Sequence, residues 1–188
     1  MHISEAIYYY ILKPKTAIKK NINFEYSVLI YLLTSLSIAV SIIYILDNRS
    51  NILYLLILTF GIAAYITISN IAKIAIINLT ISVFFKNNSK NNITNFINNC
   101  FGMYGIFIFI LPVTLIFGKY ASIYFIQAAA FLILQLYYII LMYNNIKYSF
   151  NIESPFKVFL VLITPVICSY LLYVSLAILI FGVFINYI

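Results

Sequence analysis

The groups in this chain that could carry acid–base, nucleophilic or metal chemistry are few and scattered. One histidine (His2), four carboxylates (Glu5, Glu25, Asp47 and Glu153) and two cysteines (Cys100 and Cys168) make up the inventory. A metal site needs three or four such ligands converging on one point, and the spacing offers no such cluster. Cys168 lies inside an apolar run and Cys100 beside one, which reads as two free thiols rather than a disulfide. Gly61, Gly102, Gly105, Gly118 and Gly182 are too dispersed to form a phosphate-cradling loop. Neither HExxH nor GxSxG occurs. The expectation is a protein without catalytic residues, metal or cofactor, and so not an enzyme. Lys73 is the one ionisable group set deep in an apolar run. Such residues mark ion pathways by default, but no Asp or Glu sits at mid-depth to pair with it, so active transport by this chain alone is not expected.

The elements that position these groups follow from composition. Of 188 residues, 65% are apolar and only 8% charged, and the mean hydropathy is +1.07. Soluble domains carry about 25% charged residues. Fifteen charged side chains cannot cover the surface of such a chain, so an all-α, polytopic membrane bundle is expected. The net charge of +7 suits the lysine excess of cytoplasmic loops better than nucleic-acid binding, which is not expected.

Five apolar runs are long enough to cross a bilayer, which takes about 20 helical residues. They cover 26–46, 52–85, 101–117, 120–143 and 156–185. The second is one overshooting helix rather than two spans, because no Gly or Pro lies between Ala63 and Phe85 to turn the chain. Pro112 and Pro165 fall inside the third and fifth spans. Each is expected to kink its helix, with a neighbour satisfying the freed carbonyl. Ser154-Pro155 reads as the start of the fifth span. Polar stretches near 86–99 and 144–154 read as connectors. Ahead of the first span, residues 1–25 form a lead with a short interfacial helix that stops at Pro14, followed by basic residues.

Orientation follows from the lysines. With the N-terminus inside, inner segments hold Lys13, Lys15, Lys19, Lys20, Lys86, Lys90, Lys147 and Lys157, while outer segments hold Arg49 and Lys119. Lys73, near the inner end of its helix, can snorkel. The asymmetry implies a cytoplasmic N-terminus and an external C-terminus. It also implies anionic headgroups as partners of the N-terminal lysines. Cys100 is then expected on the cytoplasmic side and Cys168 buried within the last span.

Small and hydroxyl residues point to helix packing. Thr34, Ser37 and Ser41 share one face of the first span beside Ser35 and Ala39, and Gly61, Ala63, Ala64 and Thr67 do the same on the second. Asn70, Lys73, Asn78 and Ser82 gather on about half of the second helix. Gln127 and Gln135, eight residues apart, are placed on one face of the fourth; with Asn70 they suit interhelical hydrogen bonds or a polar cavity. Asn48-Arg49-Ser50 is a formal sequon. The 17 asparagines read as AT-rich codon usage rather than as recognition.

The lead Ala6–Lys20, with Ile11-Leu12-Lys13-Pro14-Lys15, the long second span running to Ile71-Ala72-Lys73, and Asn95–Pro112 together resemble the Yip1 domain family, in its prokaryotic form. The resemblance covers most of the chain. It implies five spans behind a cytoplasmic N-terminal region. The acidic-Leu-Tyr-Gly-Pro motif of eukaryotic trafficking members is absent, so Rab GTPases and vesicle budding attach to no residue here. The resulting expectation is a non-enzymatic scaffold for membrane organisation, acting by self-association or by docking another membrane protein. It would sit in the cell membrane of a prokaryote or the Golgi or ER of a eukaryote. The alternative is the membrane subunit of a small-molecule transporter that borrows a separate ATPase; five spans, without a visible repeat, weaken a repeat-based transporter.

Overall fold

The computed structural model describes residues 2–46, 51–85, 93–117 and 124–186. They form an all-α bundle: α1 (Ile3–Leu12), α2 (Pro14–Lys20), α3 (Phe24–Ile45), α4 (Ile52–Phe84), α5 (Ile93–Met103), a 3-10 segment (Tyr104–Phe109), α6 (Ile110–Phe117), α7 (Tyr124–Ser149) and α8 (Pro155–Asn186). Five helical units are long and apolar enough to cross a membrane: α3, α4, the run Ile93–Phe117, α7 and α8. With so much apolar surface uncovered by the chain itself, a lipid bilayer is the environment in which this fold is stable.

The expected spans are present, with two boundary corrections. α4 is a single helix of 33 residues, as the absence of Gly and Pro between Ala63 and Phe85 required. The third unit starts at Ile93 rather than 101, so the asparagine-rich stretch after 92 is helix and not connector. α7 continues to Ser149, which puts Asn144, Asn145 and Lys147 inside a helix rather than in a linker. Lys86, Lys90, Arg49 and Lys119, and the sequon Asn48-Arg49-Ser50, lie outside the described residues.

α3 sits at the centre, packed against α1, α4, α5, the 3-10 segment and α6. Its expected small-residue face is real: Ser27, Thr34, Ser35 and Ala39 are fully buried, with Ser37 and Ser41 nearly so. These side chains let the third unit approach closely. A Cβ on Gly105 would come within 2.7 Å of the Ile30 Cγ2. The chain tightens to 3-10 turns over this contact. Pro112 has no N–H to offer the Ile108 carbonyl four residues back, and Ser37 donates to that carbonyl at 2.8 Å. Thr34 bonds the Ile30 carbonyl at 2.8 Å and reaches the Tyr104 carbonyl at 3.4 Å. The hydroxyl face of α3 thus supplies the partner a membrane proline needs.

The lead is part of the bundle, not a peripheral attachment. α1 ends at Leu12 and Pro14 opens α2 at its first position, where its missing N–H costs nothing. Asn21 ends α2 in the left-handed region at φ 47°. Ala6, Tyr10 and Ala17 are fully buried. The Tyr10 ring lies over Gly102, and its hydroxyl meets Ser27 Oγ at 2.8 Å. The interfacial helix expected from sequence is therefore docked against α3 and α5.

Candidate functional site

The asparagines do structural work that composition did not reveal. Asn95 Nδ2 donates to the Ile18 carbonyl at 3.1 Å, and Asn98 Nδ2 donates to the Ile22 carbonyl. Asn99 bonds Asn95 at 3.1 Å. From α7, Asn145 Nδ2 reaches the Phe96 carbonyl at 3.2 Å and the Cys100 Sγ at 3.3 Å, and Ser149 donates to Asn145 Oδ1 at 2.9 Å. This layer ties the lead, α5 and α7 together at one end of the bundle. The sequence reading of asparagine as codon usage leaves these four positions unaccounted for. A signal was present: Asn95, Asn98 and Asn99 recur at helical spacing beside the apolar Phe96 and Cys100.

The lysines of the same end rest on aromatic rings. Lys13 lies 5.4 Å from the Tyr8 ring centre, Lys15 5.3 Å and Lys147 5.9 Å from that of Tyr148, and Lys157 5.5 Å from that of Phe85. Lys20 sits 4.2 Å over Tyr9 and donates to its hydroxyl at 2.9 Å, a bond that raises the ammonium pKa. Lys13, Lys15, Lys19, Lys20 and Lys157 are exposed. Spans and lead therefore gather six of the eight expected inner lysines at one end, on α2 and its start and on the α7 and α8 termini.

Three residues singled out from sequence meet in a cleft between α4, α7 and α8. Lys73, Gln135 and Pro165 line a cavity of about 450 Å³, with Tyr138, Phe159, Leu162 and Ser169 among its other walls. Lys73 is half-buried and forms no hydrogen bond or ion pair with any described residue. Its neighbours are mainly apolar, and Ser169 is turned to the Pro165 carbonyl at 2.8 Å. Pro165 leaves α8 continuous. A second cleft of about 490 Å³ adjoins the first through the shared Ile163 and carries Lys157, Thr80 and Thr164. Beside the first cleft stands an aromatic cluster, with ring centres 5.9 Å apart for Tyr31–Tyr104 and 4.8 Å for Tyr104–Tyr138. Tyr31 also bonds the Ala63 carbonyl at 3.1 Å and Thr67 Oγ1 at 3.0 Å, joining α3 to α4.

Several expectations need correction. Gly61 packs against nothing in the chain: it is exposed, and a Cβ there would meet no atom within 4 Å. The glycines that admit close approach are Gly102 and Gly105. Gln127 and Gln135 do not share an environment. Eight residues carry a helix 80° past full turns, and Gln127 is buried while Gln135 faces the cleft, exposed. Asn70 is buried with no partner for its Nδ2 among the described residues. Cys100 is buried, whereas Cys168 is partly exposed, and both are free thiols. Among the described residues no three His, Cys, Asp or Glu side chains come together as a metal site.

Among the five described candidate spans, α4 is the least covered by the rest of the chain. Of its most apolar 18-residue stretch, 11% is buried, against 39% for α3. Ile66, Asn70, Ile74, Ile77 and Ile81 face inward. On the opposite side Ile57, Gly61, Ala64, Ile68, Ala72 and Ala75 are exposed at three- and four-residue steps. Compared with protein-family models, curated proteins and solved structures, the chain matches none.

Proposed function

We propose that the protein is a non-enzymatic membrane scaffold that works by self-association in the bilayer, with its lysine-bearing end and N-terminus in the cytoplasm. One observation carries the reading: the side of α4 opposite its buried stripe is charge-free, uncovered, and spaced by small residues. Between membrane helices the hydrophobic effect gives no drive, so association depends on close backbone approach at Gly, Ala and Ser. Gly61, Ala64, Ala72 and Ala75 supply such positions over about 21 Å of helix at 1.5 Å per residue and are not used by the fold itself. The same stripe on a second copy is its self-complementary partner. A role in organising membranes through protein contacts is also what the resemblance to the Yip1 family implies. The six lysines at this end, five of them resting on aromatic rings, support the orientation, since excess lysine stays cytoplasmic.

Gentle solubilisation of co-expressed tagged and untagged chains tests the role. Capture of the untagged chain with the tagged one is the expected result. Stoichiometric recovery of an ATPase, with no second copy, would replace the scaffold with a transporter subunit.

A further inference from the structure

We infer that the cleft between α4, α7 and α8 binds one anionic membrane lipid, its headgroup on the Lys73 ammonium and an acyl chain along the apolar wall. The inference needs only the membrane location of the bundle and not the scaffold role. Its first support is charge. Lys73 is half-buried, without a hydrogen-bond or ion-pair partner among the described residues, and no Asp or Glu lies within the five described membrane-crossing units apart from Glu25 at the start of α3. A part-buried cation is expensive unless a counter-charge reaches it, and the described residues supply none there. An anion from the surroundings completes the pair.

Its second support is depth. From Ile52 to Lys73, α4 rises about 32 Å at 1.5 Å per residue, close to one hydrocarbon thickness of about 30 Å. Lys73 therefore stands at the level of headgroups when the start of α4 is at the opposite surface, and the rest of α4 projects into the lysine-rich end. The third support is shape. The cavity of about 450 Å³ has Phe159, Leu162 and Val166 on one wall and Ile139 on another, and Gln135 adds an amide beside the cation. An apolar slot with a single charge at one level matches an amphiphile rather than a water-soluble anion. Basic pockets between membrane helices on the cytoplasmic side are where anionic headgroups settle.

The test uses the full chain in nanodiscs of phosphatidylcholine with phosphatidylglycerol as the minor lipid. Trace phosphatidylglycerol carrying a diazirine in its acyl chain is photolysed, and the labelled peptides are mapped. Phosphatidylcholine with the same diazirine serves as the matched probe. The expected result is labelling around Leu162 and Val166 that favours phosphatidylglycerol about tenfold, the change carried by one charge-assisted hydrogen bond. Lys73→Gln removes that preference, Lys73→Arg keeps it, and Lys157→Gln leaves it unchanged. Excess inorganic phosphate does not compete. Equal labelling by the two lipids in the wild-type chain overturns the inference without any variant. So does a preference that survives Lys73→Gln, competition by free phosphate, or a cross-link in the cleft to a second copy of the chain.

Discussion

Gly102→Ala is a small change with a large expected consequence, because the added methyl has nowhere to go. A Cβ at position 102 would stand 2.3, 2.4 and 2.6 Å from three atoms of the Tyr10 ring. Carbon atoms rest at about 3.5–4.0 Å, so the ring must retreat by about 1 Å or more. Tyr10 cannot do so freely: it is fully buried, and its hydroxyl is held by Ser27 at 2.8 Å. Overpacking of this kind costs about 1–3 kcal/mol, and the lost hydrogen bond about 0.5–1.5 kcal/mol. Alanine returns about 0.8–1.0 kcal/mol of helix propensity. The net effect, about 1–3 kcal/mol, falls on the docking of α1 and raises the undocked population roughly tenfold per 1.4 kcal/mol. Limited trypsin digestion in nanodiscs reads that population, since Lys13, Lys15, Lys19 and Lys20 all lie in the lead and cleavage follows the open form when redocking is fast. Gly102→Ala should speed lead cleavage by fivefold or more, on the order of the cost above. Gly61→Ala is the matched control, with no atom near its added methyl, and should leave cleavage unchanged. Cleavage of Gly102→Ala at the wild-type rate would refute the docked position of Tyr10.

Three further outcomes follow from the same geometry. Ser37→Ala should cost about 0.6–1.7 kcal/mol in a detergent unfolding titration, and distinctly less in a Pro112→Ala background, where the residue at 112 can bond Ile108 itself; equal costs in both backgrounds would remove the proline argument. Burial pushes the Tyr10 phenol up to about 12, partly offset by the Ser27 hydrogen bond, whereas the unfolded value is about 10. The stability this gives is fully present below pH 10 and is lost as pH rises from 10 towards 12, on the order of 2–3 kcal/mol, so the stability advantage of the wild type over Tyr10→Phe should shrink across that window, and a constant difference would contradict the burial. A lipid-soluble maleimide should label Cys168 well ahead of Cys100, because only Cys168 is partly exposed; the reverse order would misplace α5.

The spans were legible because a bilayer demands about 20 apolar helical residues and the chain has five such runs. The unbroken α4 followed from the lack of Gly and Pro between Ala63 and Phe85, and the Pro112 partner from the need to satisfy a buried carbonyl. The serine face of α3 was legible as packing chemistry, although not which backbone it would meet. What the sequence hid lies in long-range contacts. Asn95 and Asn98 look like loop residues until the carbonyls of Ile18 and Ile22 are brought to them. Gly61 and Gly102 are equally plausible packing positions by type, and only the docking of Tyr10 separates them. Lys73, Gln135 and Pro165 come from three different helices, and helical spacing within one segment could not place them around one cleft.

The uncovered side of α4 is the proposed seat of a second copy. Single cysteines placed along positions 57–75 of a variant lacking Cys100 and Cys168 test it directly, by oxidative cross-linking in native membranes. Dimer cross-links should rise at Gly61→Cys, Ala64→Cys and Ile68→Cys and fall at Ile66→Cys and Asn70→Cys on the buried stripe. Cross-links that are absent, or that show no helical period along α4, would contradict it.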